Sequence, residues 1–443
     1  MMDTKKLFNV AKANGIDEIE VYSVEKSESS ISSFNNTIDD IQSSKTKVSY
    51  IRGAYNGQLG AMYVENDNIS EEKIVETIKT NAGLITNDEP YFIYPGSDSY
   101  PELKPFEGDF SEHTLAEKQA LCLDLAKKIT NAHEYVATCP GTSYEEEYFT
   151  YTIENSNGLS VKKSGGFAYL VGQVVIKKGE EVKSGFDVQI AKKFADFDLD
   201  KLVSNLVLDT VKELGGAPCV SGDYKVVIKN SVMRSLLGAF SGVFSAEAAI
   251  QKISFLVGKE NSQIFGDNIT IIDDPLCELA PSQDSFDDEG VASFKKTIVD
   301  KGVFKTFLHN LKTAKIMGCE TTANGYKNGV SSGVSTRPSN LYIKPGDKSL
   351  DELFALCGDG FYLTSVAGLH AGINMISGDF SLQSSGFEIK DGKLGNPINL
   401  VVTSGNIKEL LNNVIEVGND LDFKTSSIGA PALLVSKLSV SGK

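Results

Sequence analysis

The sequence predicts an α+β protein of two domains: a mixed α/β first domain with antiparallel strands, and a strand-dominated second. Three observations predict it. The chain has 443 residues, more than one ordinary core accommodates. Its first half mixes amphipathic helical patterns with short β-prone runs, whereas most of 270–443 reads as strand. Finally, Gly215-Gly216-Ala217-Pro218 interrupts a helical pattern near the midpoint, as a boundary would. The expected domains are therefore 1–217 and 218–443.

A first helix is expected over 4–14, with Leu7, Val10 and Ala11 on one face and Gly15 as its stop. Strand runs follow at 19–24, 48–51 and 59–64, separated by Ser/Asn/Gly stretches as in an antiparallel meander. Ser70 caps a helix reaching about 81, with Glu71 and Glu72 in its first turn, where the dipole favours anions. Pro90, Pro95, Pro101 and Pro105 punctuate a loop. A third helix over 115–129 buries Leu121, Leu125 and Ile129. The segment 135–190 alternates, with turn signals at Asn157-Gly158 and Gly165-Gly166, before a helix over 199–214. In the second domain, strands are expected at 224–228, 270–272, 341–343, 399–402 and 433–440, and helices at 231–248, 350–357 and 407–413.

Composition narrows the function. Hydrophobic content of 41% and charged content of 23% are those of a soluble globular protein. The formal net charge is −16, with acidic residues scattered along the chain, so direct nucleic-acid binding, which needs a basic footprint, is not expected. Six cysteines at 122, 139, 219, 277, 319 and 357 form no C-x-x-C and read as reduced thiols. The first residues, Met1 and Met2 included, run straight into the polar first helix, and no apolar run approaches the ~18 residues of a membrane span. A cytoplasmic protein without membrane contact is expected.

Several patterns resemble sites without meeting their requirements. Gly329-Val330-Ser331-Ser332-Gly333 satisfies G-x-S-x-G, but its flanks supply no strand before and no helix after, so a flexible loop is expected. Asp196, Asp198 and Asp200 read as an acidic helix start rather than a calcium loop, since Lys201 replaces the turn glycine. Glu145-Glu146-Glu147 and Asp287-Asp288-Glu289 are expected to point apart or sit in solvent rather than act as paired carboxylates. The histidines, His113, His133, His309 and His370, are too dispersed to predict a metal site.

The densest feature is 368–381, Gly-Leu-His-Ala-Gly-Ile-Asn-Met-Ile-Ser-Gly-Asp-Phe-Ser, followed by Ser385-Gly386-Phe387-Glu388-Ile389. Its glycines describe a tight, shaped backbone between two strands. With Phe286-Asp287-Asp288-Glu289-Gly290 upstream and Val417-Gly418-Asn419-Asp420 downstream, the chain resembles the TldD/PmbA family of peptidase subunits, historically called modulators of DNA gyrase.

The resemblance carries specific implications. In that family a TldD-type subunit holds zinc through an H-E-x-x-x-H helix near the start of the second domain and a cysteine near the carboxyl end. Alignment on the small residues Gly238 and Gly242 puts Arg234 and Ala239 at the histidine positions and Ser235 at the glutamate position. No histidine lies between His133 and His309, and no cysteine follows Cys357. The resemblance therefore implies the PmbA/TldE-like, metal-less branch: no catalytic residue and no cofactor in this chain, with zinc in a TldD-type partner. It implies a heterodimer with that partner, or a homodimer, acting on unfolded peptides or maturing peptide products. Gly368, Leu369, His370, Ser377, Gly378 and Asp379 are the expected wall of the substrate groove, where an extended peptide could add as a strand. Two other readings stand beside it: a free-standing peptide-binding or regulatory homodimer, and a metal-free hydrolase with His370 as its base.

Overall fold

The structure, a computed structural model, describes residues 3–65, 69–86 and 91–443. Helix α1 (Thr4–Ala13) starts at Asp3, whose carboxylate accepts from the Lys6 amide, and ends at Asn14 before Gly15 at φ 78°. Strands β1 (Glu18–Phe34), β2 (Thr37–Tyr55) and β3 (Gln58–Glu65) form two tight hairpins, turning on Asn35, Asn36, Asn56 and Gly57, all at positive φ. The serine-rich stretches expected to separate short strands instead lie inside β1 and β2, paired in register from Ser27↔Lys45 to Ser30↔Gln42. Ladder hydrogen bonds are made by the backbone, so a strand facing water needs no apolar alternation.

Helix α2 (Glu71–Ala82) is capped by Ser70 as expected; Pro90 lies outside the described residues. Helix α3 (Leu115–Thr130) opens with a capping box between Thr114 and Glu117. It buries Cys122, Leu125 and Ile129, and leaves Leu121 half-buried. Strands β4 (Val136–Thr138), β5 (Gly141–Asn155), β6 (Ser160–Lys178) and β7 (Glu181–Ala191) follow, then helix α4 (Leu199–Lys212). Gly158 turns the β5–β6 hairpin at φ 105°. Gly165-Gly166 makes no turn. It lies within β6, where a side chain on Gly165 would come within 2.6 Å of the Phe149 ring. These glycines supply room, not a bend. All seven strands belong to one sheet, ordered β3-β2-β1-β5-β6-β4 with β7 beside β6. Helices α1 and α2 cover its β1–β3 end, and α3 and α4 its β6–β7 end.

The remaining elements begin with β8 (Gly222–Ile228), α5 (Asn230–Phe240) and α6 (Ala246–Ile250). The single helix expected over 231–248 is broken: a 3-10 turn at Ser241–Phe244 separates α5 from α6, where Ser241 Oγ donates to the Gly238 carbonyl and Ser245 caps α6. Next come β9 (Ile271–Asp273), β10 (Lys296–Asp300), β11 (Val303–Phe304), α7 (Leu311–Met317), β12 (Gly325–Lys327), β13 (Val334–Thr336) and β14 (Leu341–Ile343). The chain ends with α8 (Leu350–Cys357), β15 (Gly360–Ala367), β16 (Asp379–Lys390), β17 (Lys393–Asn406), α9 (Ile407–Asn412), β18 (Val414–Val417), β19 (Ile428–Gly429) and β20 (Leu433–Ser441).

One sheet here runs β17-β16-β15-β8-β20-β18, and β17 also pairs with β20, which closes five of its strands into a ring. A second runs β11-β10-β9-β14-β19. Between them lies one continuous core that includes Val232, Met233, Leu236 and Leu237 of α5. The fold is α+β. No helix among the described residues is long and apolar enough to cross a membrane.

Candidate functional site

Helix α5 buries Val232, Met233, Leu236, Leu237 and Phe240 and leaves Arg234, Ser235 and Ala239 on its half-buried side. The Arg234 Nη1 donates to Asp422 Oδ2 at 2.8 Å. Ser235 Oγ donates to the Ser231 carbonyl one turn back, at 2.9 Å. Ala239 offers only a methyl group. This set does not fit a zinc ion, which takes imidazole, thiolate or carboxylate donors, and a fixed guanidinium repels a cation.

The segment 368–378 links β15 to β16 as a self-braced loop. Gly368 and Gly378 adopt φ of 84° and 89°. The Ala371 and Gly372 amides donate to the Gly368 carbonyl, and Gly372 pairs closely with Ser381. Asn374 is its centre: the side-chain oxygen accepts from the Ile376 and Ser377 amides, and its own amide donates to the Asp379 carbonyl. Asp379 accepts from Asn406 Nδ2 at 2.7 Å, and the Ser377 hydroxyl, with this amide, holds its carboxyl below the usual carboxylate range. Leu369 and Ile373 pack on the core, while His370, Met375 and Ile376 are exposed. A side chain on Gly242 would meet Met375 Cε at 2.6 Å, so this loop sits beside the end of α5. The loop that holds the expected groove residues thus meets the turn after α5 through Met375.

The acidic motif Asp287-Asp288-Glu289 departs from expectation. It is on no strand and in no solvent: the three residues are 0%, 7% and 4% exposed. Asp287 accepts from the Gly325, Glu289 and Val291 amides at 2.9–3.0 Å. Asp288 accepts from the Tyr22 hydroxyl at 3.0 Å and the Lys327 amide at 2.8 Å. Glu289 Oε2 accepts from the Leu311 amide at the start of α7, at 2.8 Å. Buried carboxylates are tolerated where amides satisfy them. Burial nonetheless raises the Asp287 carboxyl well above its usual range and Glu289 to about 7. Gly290 completes the motif at φ 83°, where a side chain would meet Leu159 at 2.5 Å. From the first half of the chain Tyr100 donates to the Gly290 carbonyl at 2.8 Å, and Ser97 Oγ accepts from the Ala292 amide at 3.0 Å. The motif therefore knots the first sheet to the second half of the chain. The other acidic triplet, Glu145 to Glu147, does diverge: Glu146 pairs with Lys118 and Glu147 with Lys26.

The remaining patterns resolve simply. The G-x-S-x-G segment is a loop between two strands, β12 and β13, and Ser332 Oγ is engaged by Gly329 of the same loop. Asp198 caps α4. His113 stacks on Phe194 at 4.0 Å, His133 accepts from the Tyr135 amide, and His309 is buried with Cys319 Sγ 3.6 Å from its Nε2. Among the described residues no group of three His, Cys, Asp or Glu is arranged to hold a metal. What sequence reasoning missed is a cavity of about 370 Å³ beside the acidic knot, lined by Tyr22, Lys163, Asp284, Asp288, Lys327 and Arg337 among others. These residues come from five elements and loops spread over more than three hundred positions, and no local spacing announces them.

Residues 221–442 match the family model described as the PmbA/TldA metallopeptidase C-terminal domain, and 108–214 match its central domain. The chain belongs to the TldD/PmbA family. A metalloprotease of Archaeoglobus fulgidus is 36% identical over 218 residues, 48% of this chain and 50% of that protein. A crystal structure from Thermotoga maritima, named for modulation of a DNA gyrase, superposes with a TM-score of 0.91 at 29% identity and covers 99% of both chains. The fold is also that of TldE from Thermococcus kodakarensis, at a TM-score of 0.89 and 24% identity over 99% of this chain and 100% of that one. Membership of the TldD/PmbA family agrees with the resemblance carried by the three sequence motifs.

Proposed function

We propose that this chain is the metal-less, PmbA/TldE-like subunit of a two-chain cytoplasmic peptidase, acting on unfolded peptides or maturing peptide products. It supplies scaffold and part of the substrate groove, and a TldD-type partner supplies zinc. The observation that carries this reading is the Arg234–Asp422 ion pair at 2.8 Å, a fixed positive charge where a zinc subunit needs its first imidazole. Met375 and Ile376, 41% and 61% exposed beside the end of α5, suit burial against a second chain. A groove shared with that chain gives the exposed 368–378 loop a substrate to meet.

Co-purification with a TldD-type chain, elemental analysis and a peptide-cleavage assay test the proposal together. The expected result is no stoichiometric zinc in this chain alone, and zinc-dependent cleavage by the pair. Close to one zinc per chain, retained by this protein alone against a weak chelator, overturns it.

A further inference from the structure

The cavity beside the acidic knot holds chemistry that neither the knot nor the subunit reading uses. Side chains of β1, β5 and β6 form one side, and the loops around 282–288, 328–330 and 337–340 form the other. Tyr22, Val24, Phe149 and Tyr151 make an apolar wall. Four cationic side chains line it, Lys26, Lys163, Lys327 and Arg337, against three acidic ones, Glu147, Asp284 and Asp288. That leaves one positive charge in excess, which suits a monoanion.

Two of the cations are already matched: Lys26 lies 3.0 Å from Glu147, and Lys163 lies 2.6 Å from Asp284. The other two have no carboxylate within ion-pair distance among the described residues. Lys327 Nζ donates to the Val330 and Ser332 carbonyls at 3.3 and 3.1 Å and lies 4.0 Å from the centre of the Tyr50 ring. The Arg337 guanidinium lies 4.5 Å over the Tyr326 ring. Burial, with Arg52 nearby, lowers the Lys327 ammonium to about 8, against the pull of Asp288, Glu20 and Glu289.

Two residues of the lining, Tyr326 and Ser339, carry a hydroxyl without a hydrogen-bond partner among the described residues. Both oxygens are themselves closed to solvent, so what the cavity presents to an anion is its two unmatched cations.

We propose that this cavity binds a carboxylate carried on an apolar body. Arg337 and Lys327 meet the charge, and the Tyr22–Tyr151 wall takes the apolar part. The carboxylate is either the free end of a short peptide or that of a small organic acid. The site is independent of whether the chain holds zinc.

Calorimetric titration of the full chain with three probes tests this: the tripeptide Ala-Ala-Phe with a free carboxyl end, the same tripeptide amidated, and N-acetylphenylalanine. Amidation and Arg337→Gln are each expected to weaken tripeptide binding about tenfold or more, the loss of one charge-assisted hydrogen bond. Tripeptide bound more tightly than N-acetylphenylalanine assigns a peptide end; equal affinity assigns a free acid. Acid and amide bound alike, an unchanged affinity in Arg337→Gln, or no heat at millimolar probe overturns the proposal.

Discussion

The Tyr22 hydroxyl on β1 donates to the Asp288 carboxylate at 3.0 Å, across 266 positions of sequence. The pair is buried, and it joins the first sheet to the motif that anchors the second half of the chain. Burial, with the Asp288 charge beside it, raises the Tyr22 hydroxyl far above its ordinary range, so it remains a donor throughout the physiological range.

Removing that donor should therefore cost stability rather than chemistry. Among the described residues Tyr22→Phe leaves the Asp288 carboxylate only the Lys327 amide, and a loss of about 1–3 kcal/mol in denaturant unfolding is expected. Combined with Asp288→Asn, the two losses should be clearly non-additive, since both act on one interaction. Additive losses would mean the hydrogen bond is not the shared term.

Stability should also depend on pH through Glu289, whose folded carboxyl titrates near 7 because of its burial. Between its ordinary value and about 7, the folded protein holds a proton that the unfolded chain has released. Stability from this group is thus complete at low pH and lost as pH rises through 7. Glu289→Gln keeps an acceptor for Leu311 and removes the titration. At pH 8 it should be more stable than the parent by on the order of 2 kcal/mol, with the gap closing towards pH 5. A gap independent of pH would count against this assignment.

Gly290 is held by both its backbone and its surroundings. Gly290→Ala must adopt φ 83° and push Leu159 away from a 2.5 Å approach. A loss of roughly 2–4 kcal/mol is expected, while Gly158→Ala, with nothing within 4 Å, should cost only the strain of its positive φ. Thermal unfolding of the two variants separates packing from backbone strain.

Installing the missing zinc motif should not create a peptidase. Arg234→His, Ser235→Glu and Ala239→His together supply two imidazoles and a carboxylate, but also leave Asp422 without its ion pair and add no cysteine beyond Cys357. Weak, exchangeable metal binding without cleavage of an unstructured peptide is expected, because a metal site needs its supporting partners as well as its ligands. Zinc-dependent cleavage by the triple variant alone would identify a recently disabled enzyme.

Helices were largely legible because their signals are local. Ser70, with the acidic residues after it, starts α2 where the capping pattern predicts. The strands framing 368–378 were legible from their composition. The long polar halves of β1 and β2 were not, since their register depends on partners far along the chain, such as Glu145 opposite Ser30. Gly165-Gly166 reads as a turn by composition and serves as clearance for Phe149. The acidic knot was misread for a related reason: adjacent carboxylates look solvated until the amides that satisfy them, from Gly325, Lys327 and Leu311, are known. The resemblance drew attention to the right motif and said nothing about its burial.

The strand that completes the ring is the last of the described strands. Strand β20 lies between β8, the first strand of its half, and β18, and also pairs with β17. During synthesis β8 must therefore wait for some two hundred further residues before this second neighbour, after β15, exists. The first sheet can assemble while translation continues, but the ring can close only after β20 has left the ribosome. A ribosome stalled before β20 emerges would hold a finished amino-terminal sheet and an open ring, with one edge of Val226, Val227 and Ile228 left without its partner strand and exposed to chaperones.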